Sequence, residues 1–139
     1  MLMLIRLLQK SLLVFTLAIL FSVADIANGH EYVKRLRNPA TVKGFIGGES
    51  HNSYVIRVRK GQTLTVQISW KHEHDKEQGD NEAQFSISDL PDFAFDDLKF
   101  GKESDNGKRW TGRVPKTGDY YIYVIAHPTA YYTLRVTIK

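Results

Sequence analysis

The stretch of sequence most suggestive of chemistry is a histidine pair, His72 and His74, in KHEHDKE (71–77). Side chains at i and i+2 of an extended chain point the same way, so the two imidazoles could share a metal ion. Removal of residues 1–29 would also make His30 the first residue, and its α-amine and imidazole would suit copper(II). The alternating charges of KHEHDKE are more typical of a solvated turn. We therefore predict no cofactor, with His72, His74 and His30 as weak candidates for a metal site.

Motifs for catalysis are missing from the sequence. GxSxG, P-loop and HExxH motifs do not occur. Adjacent carboxylates such as Asp96 and Asp97 are common on surfaces, whereas glycosidase chemistry needs two groups at a set separation across a cleft. The members of a Ser-His-Asp triad meet only in the fold, so spacing alone does not decide that case. We predict that the protein is not an enzyme.

The first 29 residues predict a secretory signal peptide. Arg6 and Lys10 precede a 13-residue apolar run, Leu12 to Ala24, and small residues follow it in SVADIANG. A transmembrane anchor would need about 20 apolar residues. Cleavage is predicted after Ala24 or after Gly29, and the mature protein is predicted to be periplasmic or secreted, without membrane insertion.

The remaining residues, 30–139, have the length and composition of one globular domain. Cleavage after Gly29 leaves 17 basic and 14 acidic residues, a net charge of +3 with neutral histidines. This balance is far from that of a nucleic-acid-binding protein, so no nucleic-acid partner is predicted. The chain has no cysteine, which leaves core packing to stabilise an exported fold without disulfides.

Apolar residues recur with a period of two in seven short segments, and no segment has a convincing helical period. Turn residues separate the segments, and Gly61 in the KGQ turn (60–62) is expected to take a positive φ. The pattern predicts an all-β, single antiparallel β-sandwich of about seven to eight strands, jelly-roll-like, with a small closed barrel as the alternative. The seven segments are TVKGFI (41–46), SYVIRVR (53–59), TLTVQISW (63–70), AQFSIS (83–88), KRWTGRV (108–114), DYYIYVIA (119–126) and YYTLRVTIK (131–139).

Two longer connections interrupt this pattern. Residues 71–82 form a polar loop, and residues 90–107 form an acidic loop containing Phe93, Phe95 and Phe100. Loops of this length are uncommon unless they are functional or partly ordered. We expect the phenylalanines to pack against the sandwich.

The segments GFIGGESHNSYVIRVRKGQTLTVQISW (44–70), WTGRVPKTGDYYIYV (110–124) and YTLRV (132–136) resemble the bacterial g-type lysozyme inhibitors. Invertebrate-type lysozyme inhibitors and the jelly-roll domains found beside secreted peptidases are wider relatives of that family. The resemblance covers most of residues 41–138. Its elements, in order, are Gly44-x-Ile46-x-Gly48, Tyr54, Lys60-Gly61-Gln62, Pro115-x-Thr117-Gly118-x-Tyr120 and Tyr132-x-Leu134-x-Val136.

The resemblance implies an exported, non-catalytic protein that blocks the active-site cleft of a lysozyme, its protein partner. A Ser-Gly-x-Tyr loop of the invertebrate-type inhibitors matches Thr117, Gly118 and Tyr120 here, with Gly118 permitting the turn. With Tyr54 and His127, these are the predicted partner-binding residues. By phase with Ile122, Tyr120 could instead be a core residue with its hydroxyl bonded to nearby backbone.

The chain departs from the g-type pattern between its last two predicted strands. The g-type inhibitors often carry a long arginine-rich loop there, whereas this chain has only AHPTA (126–130). The alternative function is therefore that of the peptidase-associated domains, a secreted module that binds a glycan, an envelope polymer or a metal ion.

Overall fold

The computed structural model describes residues 33–47, 49–91 and 98–139, all within one compact unit, Tyr32–Lys139. The predicted signal peptide, its two cleavage sites, His30, Phe93 and Phe95 lie outside the described residues. Within them, no helix is long and apolar enough to cross a membrane. The described residues form eleven strands: β1 (Val33–Arg35), β2 (Ala40–Gly47), β3 (Asn52–Val58), β4 (Thr63–Trp70), β5 (His74–Asp75), β6 (Gly79–Asp80), β7 (Glu82–Ser88), β8 (Gly101–Ser104), β9 (Arg109–Arg113), β10 (Gly118–His127) and β11 (Thr129–Ile138).

The strands form two main sheets and a small hairpin. A four-stranded sheet has the order β1-β3-β10-β7, a five-stranded sheet has the order β2-β11-β4-β9-β8, and β5 pairs only with β6. The predicted all-β sandwich is confirmed, and all seven predicted segments are strands. The two sheets contain nine strands because β1 and β8 join them, and β1 pairs with β3 in parallel, unlike the remaining pairs.

The core is built from the inward residues of both sheets. Ile56 and Ile122 of the four-stranded sheet and Leu64 and Leu134 of the five-stranded sheet belong to one buried cluster. The alternation predicted from sequence places them there, since successive side chains of a strand point to opposite faces. Burial of this apolar cluster is the main favourable contribution to a fold without disulfides.

The outer face of the four-stranded sheet is more buried than the alternation of apolar and polar residues along its strands predicts. Val55 and Tyr123 point away from the other sheet, yet they are only 5% and 1% exposed. The chain after β7 crosses this face, since the Tyr123 hydroxyl donates a hydrogen bond to the Pro91 carbonyl at 2.6 Å. A sequence pattern with a period of two cannot predict this burial, because the burial depends on the path of a connecting segment.

The predicted loop 90–107 is partly a hairpin. Its residues 101–104 form β8, and Asp105, Asn106 and Gly107 turn the chain into β9 with positive φ angles of 55°, 52° and 77°. Phe100 packs edge-on against Trp110, with ring centroids 5.6 Å apart. The expected packing of the loop's phenylalanines is therefore confirmed for Phe100.

One buried asparagine joins the β5–β6 hairpin to the sandwich. Asn81 Oδ1 accepts a hydrogen bond from the Glu73 amide at 2.8 Å, and Nδ2 donates to the Lys71 carbonyl at 2.8 Å and the Thr129 carbonyl at 3.4 Å. The Asn81 carbonyl also accepts from the Trp70 indole at 3.1 Å. This single residue fixes one end of the sandwich.

Replacing Asn81 with alanine is expected to lower the free energy of unfolding by about 2–3 kcal/mol, because a buried amide and carbonyls lose their partners. The Asn81→Asp change keeps the acceptor but places a carboxylate against two carbonyls, so it should be no milder. Urea denaturation measures both, with Gln78→Ala on the same hairpin as the exposed control. Equal stability of the Asn81→Ala and Gln78→Ala variants would contradict this role.

Candidate functional site

Two connections between the sheets lie side by side at one end of the sandwich. The first runs from β3 to β4 and the second from β9 to β10; we call residues 59–62 and 115–118 the loop rim. They meet because Val58 pairs with Gly118 in one sheet and Thr63 pairs with Arg113 in the other. Both loops therefore cross between the sheets at the same place.

Hydrogen bonds join the two halves of the loop rim. The Lys60 amide donates to Thr117 Oγ1 at 2.9 Å, the Gly61 amide donates to the Val114 carbonyl at 2.8 Å, and the Val114 amide donates to the Gln62 carbonyl at 2.8 Å. The predicted positive φ of Gly61 is confirmed at 88°. Thr117, a predicted partner-binding residue, lies exposed on this rim and fixes the neighbouring loop.

The KGQ turn is closed by its own side chain. Gln62 Oε1 accepts a hydrogen bond from the Arg59 amide at 2.8 Å, and the Gln62 amide donates to the Arg59 carbonyl at 3.1 Å. A side chain that bonds the backbone three residues earlier gives a short loop one conformation. The rim is thus a pre-ordered surface, which lowers the entropy lost on binding.

Tyr120 is a buried residue that holds the loop rim by a hydrogen bond to its backbone. Its side chain is only 2% exposed, and its hydroxyl donates to the Lys116 carbonyl at 2.7 Å. Burial, with the nearby charge of Asp89, raises the pKa of the Tyr120 hydroxyl, so it stays protonated and can donate. The structure therefore places Tyr120 in the core with its hydroxyl bonded to nearby backbone, which is the alternative that its phase with Ile122 indicated.

Gly118 does not have the turn-forming role predicted for it. It begins β10 paired with Val58, it is not among the glycines with positive φ, and an added Cβ would meet nothing within 4 Å. A residue with a side chain would fit this backbone. The positive φ in this rim belongs to Gly61.

The loop rim carries positive charge. Arg59, Lys60 and Lys116 are exposed, and the rim contains no acidic residue. The nearest carboxylate along the chain, Asp119, accepts hydrogen bonds from Arg35 at 2.9 and 3.2 Å. The Arg35 hydrogen bonds lower the pKa of Asp119, and this carboxylate is therefore already engaged by a cation outside the rim.

Tyr54 is buried away from the rim. It is 4% exposed, and its hydroxyl is hydrogen-bonded to that of Tyr132, which also accepts from Asn52 Nδ2 at 2.7 Å. Burial, and then the Tyr132 hydroxyl, raise the pKa of Tyr54. The Tyr132 ring lies against Gly44, where an added Cβ would overlap it. These matched residues therefore pack the core, and Tyr54 offers no surface to a partner.

His127 lies at the opposite end of β10 from Thr117. The strand is ten residues long, which places its two ends roughly 30 Å apart. The predicted residues therefore do not form one rim. His127 is exposed and borders a depression of about 80 Å³ that is also lined by Glu82, Gln84, Ile125 and Ala126.

The histidines of the 71–82 segment have separate neighbours. His72 lies against the Trp70 ring with centroids 5.4 Å apart, and His74 Nδ1 is 2.7 Å from Asp80 Oδ1 across the β5–β6 hairpin. Across residues 33–47, 49–91 and 98–139, no group of three or more potential ligands from His, Cys, Asp or Glu could hold a metal ion.

No protein-family model and no curated protein matches the sequence. Among solved structures, a periplasmic inhibitor of g-type lysozyme from Aeromonas hydrophila matches with a TM-score of 0.58 and 21% identity, over 77% of this chain and 96% of that chain. This chain therefore shares the fold of that inhibitor. A Salmonella Typhimurium inhibitor of g-type lysozyme matches with a TM-score of 0.52 and 21% identity, over 77% of this chain and 98% of that one.

The same fold occurs in the pre-peptidase C-terminal domain of a Bacillus anthracis collagenase. That domain matches with a TM-score of 0.53 and 21% identity, over 79% of this chain and 99% of that chain. The sequence resemblance named both groups, and the structure confirms their common fold. At these identities the shared fold does not decide between their functions.

Proposed function

We propose that the protein is an exported, non-catalytic inhibitor of a g-type-like lysozyme, acting in the periplasm or outside the cell. The observation that supports this proposal is the fold shared over 96% of the chain of the Aeromonas inhibitor, which is described as periplasmic. The predicted signal peptide agrees with that location.

The inhibitor would work by placing the loop rim in the active-site cleft. Most glycoside hydrolases hold a pair of carboxylic acids in their clefts. Arg59, Lys60 and Lys116 on the rim are exposed, have the opposite charge and are free of acidic neighbours within the rim. Charge-assisted hydrogen bonds to carboxylates would bind the rim there, and the body of the sandwich would exclude substrate.

The rim replaces the arginine-rich loop that the family resemblance implies between the last two strands. In the structure β10 ends at His127 and β11 begins at Thr129, so Pro128 alone connects them. A one-residue connection cannot project into a cleft. The loop rim instead offers three exposed cations, Arg59, Lys60 and Lys116, on two adjacent loops.

Lysis of bacterial cells by lysozyme tests the proposal. Addition of the purified protein at about 1 μM should slow the loss of turbidity caused by g-type lysozyme, with one protein bound per enzyme. The c-type and invertebrate-type enzymes serve as matched controls for specificity. The proposal fails if g-type lysozyme is not inhibited at this concentration, whatever the two control enzymes do.

A further inference from the structure

The outer face of the five-stranded sheet has an unusual composition. Alternation and register place eighteen residues of β2, β11, β4, β9 and β8 on this face, of which nine are serine or threonine and none is acidic. Five are cationic: Lys43, Lys102, Arg109, Arg113 and Arg135. A protein with nearly balanced total charge therefore has one broad basic, hydroxyl-rich face.

The cations of this face have no carboxylate partner among residues 33–47, 49–91 and 98–139. None of the five forms an ion pair with another described residue, whereas Arg35 and Arg57 on the outer face of the other sheet both lie within salt-bridge distance of Asp119. Arg113 Nε donates to the Gly61 carbonyl at 3.2 Å and belongs to the rim end of the sheet. The other four remain available to an anionic ligand.

These four cations form a track across the sheet. Arg135 and Arg109 lie in one cross-strand row with Gln67 between them, while Lys43 and Lys102 stand on the edge strands β2 and β8. Since neighbouring strands are about 4.8 Å apart, the row spaces its two arginines by about 10 Å, and the track crosses about 19 Å of the width of the sheet. Such a track suits an extended chain with repeating negative charges.

An exposed aromatic pair stands at the Lys43 end of the track. Phe45 and Tyr131 are cross-strand neighbours with ring centroids 4.7 Å apart, and they are 50% and 58% exposed. A depression of about 240 Å³ beside Tyr131 is lined by Lys43, Ser69 and Thr133 among others. Exposed aromatic rings next to hydroxyl and ammonium groups offer both apolar contact and hydrogen bonds.

We propose that this face binds an anionic polysaccharide. The positive track is complementary to carboxylate or sulfate groups, the serine, threonine and glutamine side chains match sugar hydroxyls, and the aromatic pair supplies a surface for a sugar ring. Single-stranded nucleic acid is less suited to this face, since its binding uses several successive aromatic platforms, whereas the described strands present one tilted aromatic pair here. The four-cation track lies apart from the loop rim, so polysaccharide binding and lysozyme inhibition are tested by separate substitutions.

Affinity electrophoresis of the purified protein tests this surface. Polygalacturonate and dextran sulfate are the carboxylate and sulfate probes, with neutral dextran and a thymidine oligonucleotide as comparisons. The expected result is retardation by at least one anionic polysaccharide, not by neutral dextran, that weakens as the salt concentration rises above about 0.1 M. No retardation by either anionic polysaccharide, or stronger binding of the oligonucleotide, would overturn the proposal.

A paired substitution locates the binding. Arg109→Glu with Arg135→Glu should weaken polysaccharide binding by about tenfold or more, because both charges in the central row are reversed. The matched control makes the same change at exposed cations elsewhere, Arg37→Glu with Lys76→Glu. Circular dichroism and thermal melting establish that both variants fold. Equal weakening in both variants would show a net-charge effect and overturn the assignment to this face.

Discussion

Replacing Trp110 with alanine is expected to lower the free energy of unfolding by about 3–5 kcal/mol, a large part of the about 5–15 kcal/mol typical of a domain. The indole is 2% exposed and lies against Gly101 and Gly112, where an added Cβ would overlap or crowd the ring. Phe100 contacts it edge-on. Its removal leaves a cavity lined by backbone, which cannot easily move inward. Urea denaturation measures the loss.

Arg109→Ala is the matched control, because Arg109 precedes Trp110 on β9 and points outward, where substitutions change stability by about 0.5 kcal/mol or less. Gly101→Ala probes the same contact from the glycine side and should cost about 1–3 kcal/mol by overpacking. A Trp110→Ala variant as stable as Arg109→Ala would show that the indole does not pack in this way.

The same contact explains why β8 escaped prediction from sequence. The seven predicted strands all carry alternating apolar residues, which is the physical signature of a half-buried strand. GKES (101–104) has no apolar side chain, and its glycine is suited to the strand only because Trp110 lies over it. Because β8 is stabilised by contact with Trp110, nine residues after Gly101, its own sequence has no alternating pattern that would predict a strand.

The positions in the fold of the predicted partner-binding residues could be foreseen only in part. Thr117 is exposed on the rim, but Tyr54 and Tyr120 were proposed from a resemblance although their phase with Ile56 and Ile122 already favoured the core. The clustering of Lys60 with Lys116 depends on which strands are neighbours, and no spacing along the chain contains that information. The loop rim therefore became visible only with the sheet order.

The net charge of the chain also could not predict the charged surfaces, because their positions depend on the sheet order. The net charge of +3 on residues 30–139 served only to argue against a nucleic-acid partner. The fold separates charges instead, since acidic Asp119 is paired with arginines on one sheet while the outer face of the other sheet has no acidic residue. Binding surfaces follow from this local distribution, because salt screens exposed charges beyond about 8–10 Å.

Reversing two charges on the loop rim, with Lys60→Glu and Lys116→Glu together, is expected to weaken inhibition of lysozyme by about 100-fold or more. Both side chains are exposed and would then face the cleft carboxylates with like charge. Stability should change little, since the Lys60 and Lys116 side chains make no ion pair with a described residue. The inhibition constant from the turbidity assay measures the effect, and thermal melting verifies the fold.

The Arg37→Glu and Lys76→Glu pair again separates position from net charge, because it makes the same change at exposed sites outside the rim. It should leave the inhibition constant within about twofold of the unchanged protein, with rising salt weakening the unchanged protein more than the rim variant. Thr117→Val adds a third comparison. It removes the acceptor of the Lys60 amide, and it should weaken inhibition less than charge reversal because the cations remain. If reversal at the rim and at the control sites weakens inhibition equally, the rim does not enter the cleft and another surface of the sandwich binds the enzyme.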